Sequence, residues 1–407
     1  MIAINAQQRW LSIIGIGEDG FEALSPAARR LLTQASLVVG GKRHLSLAGD
    51  LPGEKLAWPS PPENAFPEIL AWRGKPVCVL ASGDPFFYGI GSQLMRCVAA
   101  EEMVCLPSTS AFSLAAARLG WALQDCALLT LHGRPLQRIV PYLQPDRRIL
   151  ALSWDGTTPG RLAKLLTERG MGRSAMTICE NMGGPRERLR RSSASEFSDD
   201  DVEPLNTIAV EIHAERNARV VPMATGLPDD WFEHDGQITR REIRAITLAS
   251  LAPRQGERLW DIGAGSGSVS IEWMLRDASN SAIAIERNKE RAARIARNAT
   301  ALGVPDLMIV EGGAPAALEG LPQPDAIFVG GGATAEGVLD AAWAALAPGG
   351  RLVVNGVTIE TQAELTRRFT AQGGELVSIN LAHADPVGGF HGWRPHMPVV
   401  QWSIVKP

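Results

Sequence analysis

Short apolar runs alternate with helical patterns along almost the whole chain, and that alternation narrows the fold more than any other feature. A strand that pairs in parallel with its successor needs a crossover, usually a helix, so the pattern predicts parallel α/β sheets. Before residue 213 the predicted strands are Leu11–Gly15, Leu37–Gly40, Val77–Ala81, Ala127–Leu131, Ile149–Ser153, Met176–Glu180 and Thr207–His213. Helical patterns lie between them over Pro26–Ala35, Ser110–Leu119 and Pro159–Arg169. Trp58–Pro67 carries four prolines and reads as an irregular surface loop. The polar, acidic stretch Ser192–Pro204 reads as a solvated connection.

The pattern lapses over Ala214–Pro228, which has two prolines and no periodicity. A helix over Thr239–Leu251 follows, then strands at Arg258–Ile262, Ser281–Ile285, Leu307–Val310, Ala326–Val329, Arg351–Val354, Glu375–Leu381 and Val399–Val405. No internal repeat links the two halves, and 407 residues suit two domains. The expected division is a first domain over 1–213, a linker over 214–228 and a second domain over 229–407.

Charge narrows the function. The 22 basic and 22 acidic residues up to His213, and the 18 and 22 beyond it, give neither half the basic excess that tracks a phosphate backbone. Nucleic acid is therefore an unfavoured partner. The five cysteines are odd in number and contain no CxxC pair, which reads as buried free thiols in a reducing cytoplasm, with no metal site. The N-terminus lacks a basic segment followed by an apolar stretch, and no apolar run approaches the roughly 20 residues of a membrane helix. The expectation is a soluble cytoplasmic protein.

Two glycine-rich signatures of unlike design sit where strands run out into turns. The second is compact: Asp261, then Gly263, Ala264, Gly265, Ser266 and Gly267, between an apolar strand and a helix. A dinucleotide site would read GxGxxG, with pyrophosphate on the helix N-terminus. Here the spacing is GxGxG with an acid two residues ahead, which repels a pyrophosphate and suits a cationic amino acid group. Glu286 ends the next strand, nineteen residues past Gly267, where a carboxylate can hold ribose hydroxyls. Amino acid plus ribose without phosphate describes S-adenosylmethionine. Gly313 stands where many such enzymes carry an acid near the adenine, so that contact passes to backbone around Ala314.

The glycine motif with PMATGLPDDWFEHDGQITRREIR (222–244), PDAIFVGGG (324–332) and PGGRLVVNGVTIET (348–361) resembles the decarboxylating cobalt-precorrin C15-methyltransferase family over nearly all of 222–407. The resemblance implies a Rossmann-like class I methyltransferase domain. It also implies that Thr239, the glycine loop, Glu286 and the backbone at Ala314 contact the methyl donor.

The first signature is split between Gly15–Gly20 and Ser82-Gly83-Asp84-Pro85, followed by a hydroxyl-rich helix start at Pro107–Phe112. Hydroxyls there serve as helix caps as readily as ligand contacts. Taken in order, GIGEDG, ASGDPFFYGIG, PSTSAFSLAAARLGW, LHGRP and ENMGGPRER resemble the tetrapyrrole methylase family, in its precorrin C5-methylating branch, over about 10–213. That implies a bilobal class III domain with S-adenosylmethionine between its lobes, and contacts at Gly83, Asp84, Ser110 and Ala111. The first loop departs from the family's GPGD form, with Glu18-Asp19 in place of Pro-Gly.

Together the halves resemble fused precorrin methyltransferases of cobalamin biosynthesis. The fusion implies a bifunctional enzyme with two S-adenosylmethionine sites. One half methylates a precorrin at carbon 5; the other methylates carbon 15 and decarboxylates the ring C acetate. Homo-oligomerisation is implied as well. Rim contacts for substrate carboxylates are expected from Arg240, Arg241 and Arg244, from Arg186, Arg188, Arg190 and Arg191, and from His391, Arg394 and His396 over Gly388–Pro398, which reads either as a substrate-facing loop or as a structural hairpin before the last strand. Asn355, after a strand on the ligand edge, is a further substrate candidate. An RNA or other small-molecule methyltransferase and a non-catalytic tetrapyrrole carrier are the alternative readings.

Overall fold

The computed structural model describes residues 9–198 and 200–407. The expectation about the N-terminal leader falls on residues 1–8, and part of the expected acidic connection falls on Asp199; both lie outside the described residues. The chain divides into two compact units. The first comprises residues up to Leu136 with Gln144–Arg219; the second comprises Gln137–Leu143 with Val220–Pro407.

The first unit has two five-stranded sheets. The first sheet takes β1 (Leu11–Ile16), β2 (Leu37–Gly40), β3 (Glu54–Ala57), β4 (Val77–Ser82) and β5 (Met103–Leu106) in the order β3-β2-β4-β1-β5, all parallel. β1, β2 and β4 are buried nearly throughout, as continuous apolar runs covered on both faces require. The second sheet takes β6 (Cys126–Thr130), β7 (Arg148–Leu152), β8 (Ala175–Glu180), β9 (Arg188–Ser193) and β10 (Asn206–Glu211) in the order β6-β7-β10-β8-β9. Only β6 and β7 pair in parallel; β10 runs antiparallel to both β7 and β8, and β9 to β8. The expectation of parallel pairing throughout therefore fails here, because β8, β9 and β10 follow one another without intervening helices.

The proline-rich stretch is less irregular than expected. A 3-10 turn, Pro62–Ala65, leads into the helix Phe66–Ala71, with Ala65 and Ile69 buried.

The second unit is built on a seven-stranded sheet of β11 (Arg258–Ile262), β12 (Ser281–Glu286), β13 (Met308–Glu311), β14 (Ala326–Val329), β15 (Arg351–Gly356), β16 (Glu375–Ile379) and β19 (Val399–Val405). Its order is β13-β12-β11-β14-β15-β19-β16, parallel from β13 to β15 and antiparallel at β19. Strand order reverses between β11 and β14, and in sheets of this kind a crevice opens there at the carboxyl ends. β17 (Ala382–Val387) and β18 (Phe390–Pro395) form a separate hairpin, the second of the two readings of Gly388–Pro398.

The boundary between units, Arg219 to Val220, lies inside the stretch read as a linker. Its two ends are tied into the units they adjoin. Glu215 N and Arg219 N donate to the Gly170 and Arg169 carbonyls in the first unit. Gly226 N and Leu227 N donate to the two Glu272 carboxylate oxygens in the second, at 2.7 and 2.8 Å. Among the described residues no helix is long and apolar enough to cross a membrane.

Candidate active site

In the second unit, β11 ends at Ile262 and the chain turns through Gly263, Gly265 and Gly267 with φ of +74°, +60° and +75° before the helix Ser268–Met274. Side chains other than glycine's rarely adopt that region. Two of the glycines are also constrained by space. A Cβ on Gly263 would stand 2.9 Å from the Gly331 backbone, and one on Gly267 would stand 2.7 Å from Ile295. β11 and β14 thus bring the two glycine-rich loops together at the switch point.

Around that crossing lies a cavity of about 660 Å³, within the range of small-molecule sites. Thr239, Gly263, Ala264, Gly265, Glu286, Ala314, Arg240 and Asn355 line it, so the structure gathers most of the sequence-selected residues of this half. Glu286 is almost fully buried. Its Oε2 accepts from Gly265 N and its Oε1 from Asn288 N, each at 2.9 Å. The carboxylate is thereby fixed against the glycine loop with lone pairs left for a diol. A buried carboxylate beside a backbone cradle that tolerates no Cβ fits the nucleoside and amino acid of S-adenosylmethionine.

Asp261 is placed differently from expectation. It does not line the cavity but lies buried beneath the loop, where Oδ2 accepts from Ser270 N at 3.1 Å and Ser270 Oγ at 2.5 Å. Its Oδ1 has no hydrogen-bond partner among the described residues. Burial, opposed by the Ser270 hydrogen bonds and reinforced by repulsion from Glu286, leaves its carboxyl pushed up to about 6. Asp261 therefore braces the loop onto the following helix. Ser266 and Gly267 also sit behind the cavity wall, with the Ser266 carbonyl accepting from Asn298 Nδ2 at 2.9 Å.

The segment that closes the cavity, 233–240, is stitched to the helix Lys289–Leu302. Asp235 accepts from Arg291 at 2.9 Å and pairs with Arg294, which together hold its carboxyl well below the usual range. Arg244 is a correction to the expected substrate rim. It is fully buried, donating to Glu272 at 2.6 Å, to the Thr239 carbonyl at 2.5 Å and to the Leu227 carbonyl, with Phe232 stacked at 4.8 Å. Arg241 is exposed and lies outside the cavity.

Asn355 rests on a buried polar network that sequence reasoning missed. Its Nδ2 donates to Thr247 Oγ1 at 2.9 Å, its Oδ1 accepts from Gln401 Nε2 at 2.9 Å, and Ser250 Oγ donates to Gln401 Oε1 at 2.7 Å. These partners lie 108 and 46 residues away from Asn355, beyond any local motif.

On the hairpin, the β17–β18 register sets His383 opposite Arg394 and Pro386 opposite His391. His391 and Arg394 are three positions apart on one strand and so project from opposite faces. Neither lines the cavity, and Arg394 is paired with Asp385 at 3.1 Å. His396 and the unforeseen His383 and Glu242 do line it.

In the first unit, β1 and β4 end side by side. A Cβ on Gly15 would collide with the Gly83 carbonyl, and one on Gly83 (φ +54°) would stand 2.9 Å from Ser110 Cα. Ser108 N donates to the Gly83 carbonyl at 3.0 Å, closing three loops on one point. A cleft of about 530 Å³ beside it is lined by Gly15, Asp84 and the 106–110 loop, with Ser110 among them. Gly83 and Ala111 lie behind its surface. Asp84 Oδ1 accepts from Phe86 N at 2.9 Å, and Ser110 caps the helix Ala111–Leu119 by accepting from Ser113 N at 3.2 Å. Glu18 in the first loop is ion-paired with Arg43.

The other expected rim arginines are spent elsewhere. Arg188 bonds Glu180 and Asp201, Arg190 the Asp200 carbonyl at 2.7 Å, Arg191 Thr177 at 3.3 Å, and Arg186 pairs with Glu203 at 3.6 Å. Arg188 and Arg190 bind the edge strand β9 to the acidic stretch that follows it, and Arg188 and Arg191 also bind it to β8.

Two family models match successive parts of the chain. The family described as tetrapyrrole (corrin/porphyrin) methylases matches residues 11–198, and that described as a precorrin methyltransferase domain matches 230–406. A Sinorhizobium protein named precorrin-6Y C(5,15)-methyltransferase [decarboxylating] is 54% identical over 98% of this chain and 96% of its own. A Salmonella typhimurium cobalt-precorrin-7 C(5)-methyltransferase is 32% identical over 44% of this chain and 88% of its own. A Saccharolobus solfataricus protein named as a probable cobalt-precorrin-6B C(15)-methyltransferase (decarboxylating) is 34% identical over 33% of this chain and 71% of its own. With full-length identity of that order, the chain belongs to the decarboxylating precorrin-6Y C(5,15)-methyltransferase family.

Proposed function

We propose that each unit carries its own methyl-donor site and performs one methylation. The chain is an S-adenosylmethionine-dependent methyltransferase of cobalamin biosynthesis that methylates a precorrin at carbons 5 and 15 and removes a carboxyl group as carbon dioxide. The first unit takes carbon 5; the second takes carbon 15 and the decarboxylation of the ring C acetate. One observation carries this reading: the chain holds two glycine crossings of different construction, each opening on a cavity and each within a separate methylase family match.

Bound S-adenosylmethionine supplies an electrophilic methyl on a sulfonium, so the protein's part is binding and alignment. Glu286, held by two backbone N–H groups, takes the ribose hydroxyls, and Ala314 borders the adenine. Thr239 and the 263–265 backbone flank the amino acid portion. Asn355, oriented by Thr247 and Gln401, presents its remaining amide capacity to the precorrin, with Arg240 at the rim. In the first unit Asp84, Ser110 and the backbone at Gly83 and Ala111 form the corresponding set. Self-association of the chain belongs to the same proposal.

Mass spectrometry of the product formed with methyl-labelled donor tests it. Two labelled methyl gains and one carbon dioxide loss are expected; a single methyl gain without that loss would leave one unit without its assigned role.

A further inference from the structure

The cavity of the second unit is walled on one side by groups that the donor cradle does not use. His383 on β17, His396 just past β18 and Glu242 in the helix Arg241–Leu251 all line it. His396 Nε2 stands 3.0 Å from His383 Nδ1, with ring centroids 4.7 Å apart, and His383 Nε2 stands 3.7 Å from Glu242 Oε1. The three groups form an ordered row: His396, His383, Glu242.

Ring nitrogens at that distance share one proton between them. When the pair holds one proton more than two neutral rings, His383 Nε2–H faces the Glu242 carboxylate and His383 Nδ1–H donates to His396 Nε2. His396 Nδ1–H is then left for whatever occupies the cavity. Two arginines near the pair already have partners. Arg394, opposite His383 across the hairpin, is held by Asp385 at 3.1 Å, and Arg240, two residues before Glu242, by Asp229 at 3.5 Å. Glu242 is the carboxylate that His383 Nε2 faces.

Decarboxylation of an acetate arm has a requirement that positioning alone does not meet. The bond between the arm carbon and the carboxyl group breaks, its electron pair passes into the conjugated ring, and carbon dioxide leaves. The arm carbon must then gain a proton to become a methyl group. We propose that His396 is the acid that delivers this proton, with His383 and Glu242 as positioning residues behind it; this rests on reading the second unit as the decarboxylating one. The His396 Nδ1–H bond breaks as the arm C–H bond forms. His396 Nε2 takes the proton from His383 Nδ1, and His383 keeps its Nε2 proton against Glu242. The pair passes from cation to neutral, and solvent, which reaches both exposed rings, restores one proton for each carbon dioxide released.

The test follows carbon dioxide loss by mass spectrometry in the full chain with donor, across precorrin concentrations, with S-adenosylhomocysteine binding as the check on folding. His396→Asn is expected to slow carbon dioxide loss by about 100-fold or more, the scale of a lost general acid. Glu242→Gln, a change at a half-exposed position, is expected to lower kcat for carbon dioxide loss by about tenfold with KM for the precorrin unchanged, because His383 loses the carboxylate that positions it. Carbon dioxide loss within threefold of wild type in His396→Asn, with S-adenosylhomocysteine binding intact, would overturn the proposal. Should that variant fail to bind, the Glu242→Gln kinetics decide: an unchanged kcat overturns the proposal and a lowered kcat at unchanged KM supports it. Wild-type chain that methylates precorrin but never releases carbon dioxide would instead sink the reading of the second unit.

Discussion

Glu286 shows how much one side chain does at the proposed donor site of the second unit. Its carboxylate accepts two backbone N–H groups, so replacing it by glutamine trades one charge-assisted acceptor for a donor that faces an N–H. Glu286→Gln should weaken S-adenosylhomocysteine binding to the second unit by about tenfold or more and cost about 1–3 kcal/mol of stability, read by calorimetry and urea unfolding. Asp261 gives a pH prediction of definite sign. Its carboxyl titrates near 6 when folded and at its ordinary 3.8 when unfolded. Between about pH 4 and 6 the folded chain therefore holds a proton that the unfolded chain has released, and this group's contribution to stability falls as pH rises. Asp261→Asn should remove that fall, seen as a flatter dependence of the urea midpoint on pH than in wild type across the window. A slope unchanged from wild type would mean that Asp261 is not the buried acid described. Gly263→Ala meets both a positive φ and the Gly331 backbone, so it should impair donor binding, whereas at Gly332 the added methyl meets open space and only backbone strain remains.

At the scale of elements, the loop-helix segment 226–244 is held by Arg244 in a polar core shared with Glu272. Removing the guanidinium leaves Glu272 as a buried, underpaired charge. Arg244→Met should therefore cost about 3–5 kcal/mol and reduce donor affinity through Thr239, as measured by urea unfolding and calorimetry. Such residues show where sequence patterns stop informing. The central strands were legible because β1, β2, β4, β11 and β14 are buried nearly throughout and their apolar runs are unbroken. The glycine loops were legible because positive φ and close backbone approach leave little choice of residue. β9 was not, since an edge strand reading RLRRSS looks like solvated chain, and its arginines answer to acids up to 13 residues away (Arg188 to Asp201). The sequence left loop and hairpin open at Gly388–Pro398, because the β17 and β18 strands carry prolines and pair only with each other. Arg244 was misread because its position at a helix start gives no sign of the buried Glu272, 28 residues on, that claims it.

For the whole molecule, the sequence already separated two α/β units and two glycine-rich signatures, while the antiparallel half of the first unit emerged only from the strand pairing. In the proposed function one chain carries two methyl-donor sites of unlike construction. Calorimetric titration of the full chain with S-adenosylhomocysteine tests it most directly. Two equivalents should bind per wild-type chain, one to an Asp84→Ala variant, one to a Glu286→Ala variant, and none to the double variant. A single equivalent in the wild type, or loss of both sites from either single change, would contradict the account.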